Sequence, residues 1–190
     1  RFSYFFPKGV ELVRSSTPPF AREKIMDVVK YLFEHPDSFN IKDLLGIIRE
    51  LRKQFELSEP DDLGGQTSCK KYDEKVLNDK DELEFVSGSH FSVKAAALHN
   101  HILGQHPDLA AKYERIKSGD KIKYYYTTDE RNPVFAWIRG AFPVEFAPPI
   151  DFETHFAKMI LSPINGVIEP LGLPQISKRL SVVMDIFDGF

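Results

Sequence analysis

Residues His90–Thr127 read HFSVKAAALHNHILGQHPDLAAKYERIKSGDKIKYYYT. The pattern predicts a helix, a short second helix, a tight turn and a basic strand. The helix starts after Ser92, a residue type whose side-chain oxygen satisfies a free backbone N–H. Val93, Ala96, Ala97 and Leu103 recur at helical spacing and are expected to face a core. Lys94 and His101 share another face of that helix. Ser118-Gly119-Asp120 has the chemistry of a turn. Beyond it Lys121 and Lys123 alternate with Ile122 and Tyr124, the period of a half-exposed strand, so one basic face is expected.

The chain around this segment has 190 residues, of which 42% are hydrophobic, with 16 phenylalanines. That suits one domain with a tail, since a domain near this size buries roughly 70% of its unfolded surface. The single cysteine, Cys69, excludes an internal disulfide and points to a reducing compartment. No apolar run reaches the roughly 18 residues of a membrane span, and no secretory signal is visible. The formal net charge is −3. Nucleic-acid binding by bulk positive charge is therefore excluded; any such binding must come from local patches or from other parts.

Outward from the first segment, Phe2, Tyr4 and Phe6 alternate as in a strand. Ile25, Val28, Val29, Leu32 and Phe33 give Phe20–Phe33 one apolar helical face, closed at His35-Pro36-Asp37. Asn40 is suited to cap a second helix with Asp43 near its positive end. Its stripe is Ile41, Leu44, Leu45 and Ile48, it runs to about Phe55, and Arg49, Arg52 and Lys53 lie on outward, solvated faces. Glu56–Gly65 reads as an acidic loop, and Asn78–Gly88 as a second acidic linker whose charge would repel phosphate. Asp129–Asn132 is a turn, and Pro133–Ile138 a short apolar strand that pairs with 121–127. Asp151 caps a last helix lined by Phe152, Phe156, Met159 and Ile160. Pro163 should kink or restart it, and Ile164, Val167, Ile168 and Leu171 continue its apolar set. The whole reads as α+β, mainly helical, with a small β-element.

Lys70, Lys71 and Tyr72 combine two cations with an aromatic ring, a set suited to a phosphate backbone and a sugar or base face. Two lysines beside Cys69 could lower its pKa; with no catalytic partner in sight it reads as a small loop residue. His99-Asn100-His101 does not read as a metal site, because residues two apart on a helix point about 200° apart. Polar groups facing DNA or solvent are expected there. No nucleophile–base pair or Gly-rich phosphate loop is present.

Several blocks, in order, resemble the thumb of family B DNA polymerases, especially the T-even bacteriophage type. Lys8-Gly9-Val10-Glu11 followed by Ser15-Ser16-Thr17-Pro18 is similar to the last palm strand and its corner into the thumb. Lys71-Tyr72-Asp73 is similar to a Lys-Tyr-Asp within the thumb. His90, Lys94, Ala96, Gly119, Asp120, Ile122 and Tyr124 match a His-led helix, Gly-Asp turn and Tyr-ended strand. An alanine-tryptophan pair also occurs there, after a loop that is longer than the one here. Leu161-Ser162-Pro163-Ile164-Asn165-Gly166-Val167 resembles the last thumb helix. The end of the chain resembles a tail that docks on a sliding clamp.

The resemblance implies a thumb-like fold with a terminal palm-type strand: residues 1–18 as the palm strand and corner, 19–176 as the thumb, and 177–190 as the clamp-binding tail. It implies a portion, or the small subunit of a split enzyme, of a DNA-directed DNA polymerase, a nucleotidyltransferase acting in DNA replication. Catalytic residues are not expected in this chain. The metal-holding aspartates belong to earlier palm segments; Asp61-Asp62 reads as loop, and Asp185 and Asp188 as tail. No metal or cofactor is expected. The implied partners are primer–template duplex, the catalytic remainder of the polymerase and a sliding clamp, with no membrane and a host-cell cytoplasmic setting. Expected duplex contacts are Lys70, Lys71, Tyr72, His90, Lys94, Asn100, His101, Lys121, Lys123 and Tyr124. Expected clamp contacts are Met184, Asp185, Ile186, Phe187 and Phe190. Burying four apolar anchors gives about 6–12 kcal/mol gross, less the cost of ordering the tail, so micromolar affinity is expected. A chain opening inside a strand is expected to be a natural split subunit or a fragment, with Phe2, Tyr4, Phe5 and Phe6 open to the missing half or to self-association. The alternative is a non-catalytic adaptor that binds a clamp or other protein through its tail, which the −3 charge favours.

Overall fold

The computed structural model describes residues 16–35, 40–72, 83 and 89–181. The chain is α+β, with helices and a small three-stranded antiparallel sheet. It divides into two compact units, Glu59–His155 and the segments that flank it. Among the described residues no helix is long and apolar enough to cross a membrane.

In the flanking unit α1 (Pro19–Glu34) opens with proline in its first turn, where a missing N–H costs nothing. It buries Ala21, Ile25, Val28, Val29 and Leu32. Phe33, expected on that face, stands half exposed in the last turn. α2 (Ile41–Leu57) is capped as its sequence suggests: the Asn40 side chain accepts from Lys42 N–H at 2.9 Å. Its stripe reaches Phe55, whose ring meets Phe20 at 6.0 Å and Phe156 edge-on at 5.3 Å. Arg52 is less solvated than expected, with its guanidinium 5.3 Å from the centre of the Phe156 ring.

α5 (Phe152–Phe156) runs on into a π turn over Ala157–Leu161 before α6 (Ser162–Ile168). Pro163 has no N–H for the carbonyl four residues back, and Ser162 N–H reaches Ala157 instead. Where the sequence predicts a kink or a restart, the helix instead continues through this widened turn to Ile168. Asn165 then holds the returning chain: its amide donates to Ile176 O and accepts from Ile176 N–H, both at 2.9 Å.

In the central unit, the expected acidic loop holds a short helix, α3 (Pro60–Leu63), and a strand, β1 (Gly65–Ser68). β2 (Lys121–Tyr126) lies between β1 and β3 (Val134–Ile138), with Gly65 opposite Tyr124 and Lys123 opposite Trp137. The pairing of β2 with β3 is the one the sequence predicts. A Cβ on Gly64 would stand 2.7 Å from the Trp137 ring, and one on Gly65 2.8 Å from the Tyr124 ring. Only glycine allows so close an approach here.

The core of this unit gathers Leu98, Leu103, Tyr113, Tyr125, Phe135, Trp137 and Phe146. α4 (Phe91–Gln105) packs on β3 and is buried almost all round, Ser92, His99 and Asn100 included. The Asn100 amide donates to Ile116 O at 2.9 Å and accepts from Ile116 N–H at 2.7 Å. His99 and His155 donate from Nε2 to the carbonyls of Glu114 (3.2 Å) and Leu63 (2.9 Å). Burial holds both imidazoles neutral, lowering the His99 pKa and bringing that of His155 to about 4.

Asn100→Ala leaves both backbone groups of Ile116 buried without this partner, and chemical denaturation should show a loss of about 2–4 kcal/mol. His155 adds a pH dependence. Its stabilising effect is complete above its ordinary value of 6.5, where folded and unfolded states are both neutral. It is lost as pH falls toward about 4, because the unfolded chain takes up the proton first. Urea melts at pH 5 should show stability about 2 kcal/mol below that at pH 7 from this group. His155→Gln should remove that share of the slope.

Candidate nucleic-acid interface

One end of the sheet joins two basic stretches that are far apart in sequence. Cys69 N–H donates to Asp120 O at 2.9 Å and Gly119 N–H to Cys69 O at 2.6 Å, extending the β1–β2 ladder into the turn. Tyr72 N–H donates to Ser118 Oγ at 2.7 Å. Lys70 and Lys71 are thereby carried beside the turn that follows Lys117 and precedes Lys121. Arg139 joins them from the end of β3, its N–H donating to Lys121 O at 3.1 Å. All these cations are exposed. None has an ion pair among the described residues; Lys121 Nζ donates to Ser68 Oγ at 2.9 Å. Asp120 is the acid of the turn, and its carboxylate is engaged by Lys117 N–H at 2.7 Å. The result is a cationic surface on a hydrogen-bonded frame.

The backbone of this end is specialised. Gly119 adopts φ +97° and Lys71 φ +58°. A left-handed lysine has an unfavourable conformation, on the order of 1–2 kcal/mol, so surrounding bonds must hold it. Cys69 is fully buried, and burial pushes its thiol up to about 11, with Asp120 adding to the effect. The neighbouring lysines do not activate it.

The other expected contacts divide. His90, not Ser92, caps α4: its exposed ring accepts from Ser92 N–H at 3.3 Å and packs on Phe91 at 4.5 Å. Lys94 lines a cleft of about 190 Å³ with Ser89, Phe91, Asn132, Pro133 and Val134. His101 is half buried and bonds to Gln105 at 3.1 Å. Tyr124 is 8% exposed against Phe91, and burial raises its hydroxyl to about 12. Asn100 is turned inward onto Ile116, and His99 likewise faces the core rather than DNA or solvent.

β2 does not show the continuous basic face that its alternation suggests. Lys123 is buried: its ammonium donates at 2.7 Å to the carboxylate and to the carbonyl of Asp61. Trp137 Nε1–H donates to the other carboxylate oxygen at 2.8 Å. The Asp61 carboxylate thus ties α3 to β2 and β3. Lys117 and Arg139 belong to the cationic surface although sequence reasoning passed over them; their signal was position, each standing at a turn glycine. The clamp candidates Met184, Asp185, Ile186, Phe187 and Phe190, and the aromatics Phe2, Tyr4, Phe5 and Phe6, lie outside the described residues. No protein-family model matches the chain, and no curated protein matches it.

Lys121 and Lys123, neighbours on one strand face, should respond oppositely to alanine. Lys123→Ala should lower stability by about 1–2 kcal/mol, the value of a charge-assisted bond reduced by the exposure of Asp61, and leave polyanion binding unchanged. Lys121→Ala should leave the melting curve unchanged and weaken retention on a heparin or phosphocellulose column.

Proposed function

We propose that this chain is the thumb portion or small subunit of a family B DNA polymerase, and that it holds primer–template duplex through the cationic end of its sheet. The observation that supports this most is the joining of Lys70-Lys71-Tyr72 to the Ser118-Gly119-Asp120 turn. These are separate blocks of the resemblance to the T-even-type thumb, and here they adjoin in one exposed cationic surface. The contacts proposed are Lys70, Lys71, Lys117, Lys121 and Arg139 to phosphates, with Tyr72, His90, Lys94 and His101 at the margin. Asn100, Lys123 and Tyr124 drop out as buried supports.

Exposed cations whose contacts are to phosphates position a duplex without reading base edges, so the grip should be independent of sequence. It orients the primer terminus for chemistry performed by catalytic groups elsewhere in the polymerase, an effect of proximity. The tail, by its resemblance, would tether the assembly to a sliding clamp and raise the effective concentration of primer ends.

The test is fluorescence anisotropy of a labelled primer–template duplex across a salt series. Binding should weaken linearly in log salt with a slope of about −2.7 or steeper, the signature of three or more phosphates. Lys70→Ala, Lys71→Ala and Lys121→Ala should each make the slope shallower by about one unit and act alike on unrelated sequences. Absence of binding at low salt would overturn the reading. Clamp binding without duplex binding would favour the adaptor.

A further inference from the structure

The segment carrying Lys70 and Lys71 is fixed at both ends by uncharged hydrogen bonds. At its start the backbone N–H and C=O of Cys69 pair with Asp120 and Gly119. At its end Tyr72 N–H donates to the hydroxyl of Ser118, a residue 46 positions away. Between these anchors the chain bends at Lys71, which takes the left-handed conformation. A side chain other than glycine leaves that region when nothing holds it there.

The Ser118 hydroxyl is separable from the turn it sits in. The reversal is made by Gly119 at φ +97°. The turn closes through Lys117 N–H to the Asp120 carboxylate at 2.7 Å and Asp120 N–H to Lys117 O at 3.2 Å. Neither bond uses the Ser118 side chain. Ser118 is also exposed, so its hydroxyl fills no core position. Its structural bond is the one to Tyr72.

We propose that Ser118 is a positioning residue: its hydroxyl latches Tyr72 N–H, holds Lys71 in its left-handed turn, and keeps Lys70 and Lys71 pre-set as a phosphate-gripping pair beside Lys117, Lys121 and Arg139. The inference rests on the duplex-binding reading above. Without the latch the Tyr72 N–H loses this acceptor and the left-handed Lys71 loses one of the bonds that hold it. The lysines then have to be ordered each time they meet a phosphate, so affinity falls although no charge has been removed.

The experiment uses the full chain and the same labelled duplex at fixed salt. Ser118→Ala should weaken binding about threefold to tenfold, the cost of ordering one or two side chains. Ser118→Thr, which keeps the hydroxyl, should bind as the parent does. Ser118→Val against Ser118→Thr repeats the comparison at matched shape. In a Lys70→Ala/Lys71→Ala background, Ser118→Ala should have no further effect. Hydrogen exchange at the Tyr72 amide should quicken in Ser118→Ala and Ser118→Val but not in Ser118→Thr. Parent affinity in Ser118→Ala, or an equal loss in the background lacking both lysines, would overturn the latch while leaving duplex binding standing. Failure of the parent chain to bind duplex would overturn both.

Discussion

The central unit depends on the pairing between the Asn100 side chain and the backbone of Ile116. The chain leaves α4, makes a short 3-10 turn at Pro107–Leu109, and must come back to begin β2. Among the described residues none pairs with 114–117 as a strand, yet Ile116 is fully buried. A buried N–H and C=O need partners, and one primary amide supplies both. The pairing also sets register. It fixes Ile116 inward, places Lys117 outside, and starts the turn that delivers Lys121 to β2. The cationic end of the sheet is therefore positioned by a neutral contact in the interior.

A net charge of −3 is no obstacle to a phosphate-binding surface, because charges act locally. Screening limits exposed charges to about 10 Å at 0.1 M salt, so carboxylates elsewhere on the chain weigh little at the sheet end. What matters is which lysines are paired. Lys121 and Lys123 share one face of β2, but α3 covers only the second. Gly64 lies over Lys123 and Trp137, so close that a Cβ would stand 3.1 Å from that of Lys123. Asp61 then neutralises the covered ammonium. Burying it unpaired would be costly, and pairing it converts a cation into a structural bolt. The uncovered Lys121 stays exposed.

Where the sequence carried strong periodicity, its reading survived. α1, α2 with its Asn40 cap, the β2–β3 pairing and the widened turn before Pro163 each follow from a local signal. β1 had none, since Gly65–Ser68 lacks the β-branched and aromatic pattern of a strand and is extended because β2 pairs with it. α4 misled for a different reason. A helix buried almost all round has little contrast between faces, so spacing could not separate inward His99 and Asn100 from outward residues. The pairing of Lys123 with Asp61 spans 62 positions, and no local pattern announces it. In the candidate site Lys70, Lys71 and Lys121 were legible as exposed cations. Their assembly with Lys117 and Arg139 was not, because it is made by long-range backbone bonds.

The Asn100 device recurs in the flanking unit, where Asn165 of α6 clasps Ile176 in the same two-bond manner. In both, a helix takes up a returning extended segment through one isoleucine whose side chain is buried. The choice of asparagine has a physical basis. Serine offers a single rotating hydroxyl, glutamine adds a flexible bond, and aspartate lacks the donor and would bury a charge. Asparagine presents donor and acceptor at a spacing that matches the N–H and C=O of one residue. Hydrophobic contact alone would let such a segment slide along the helix, since apolar surface has no direction. The amide pairing admits one register, and through it the turns beyond each isoleucine acquire fixed positions from which side chains can act.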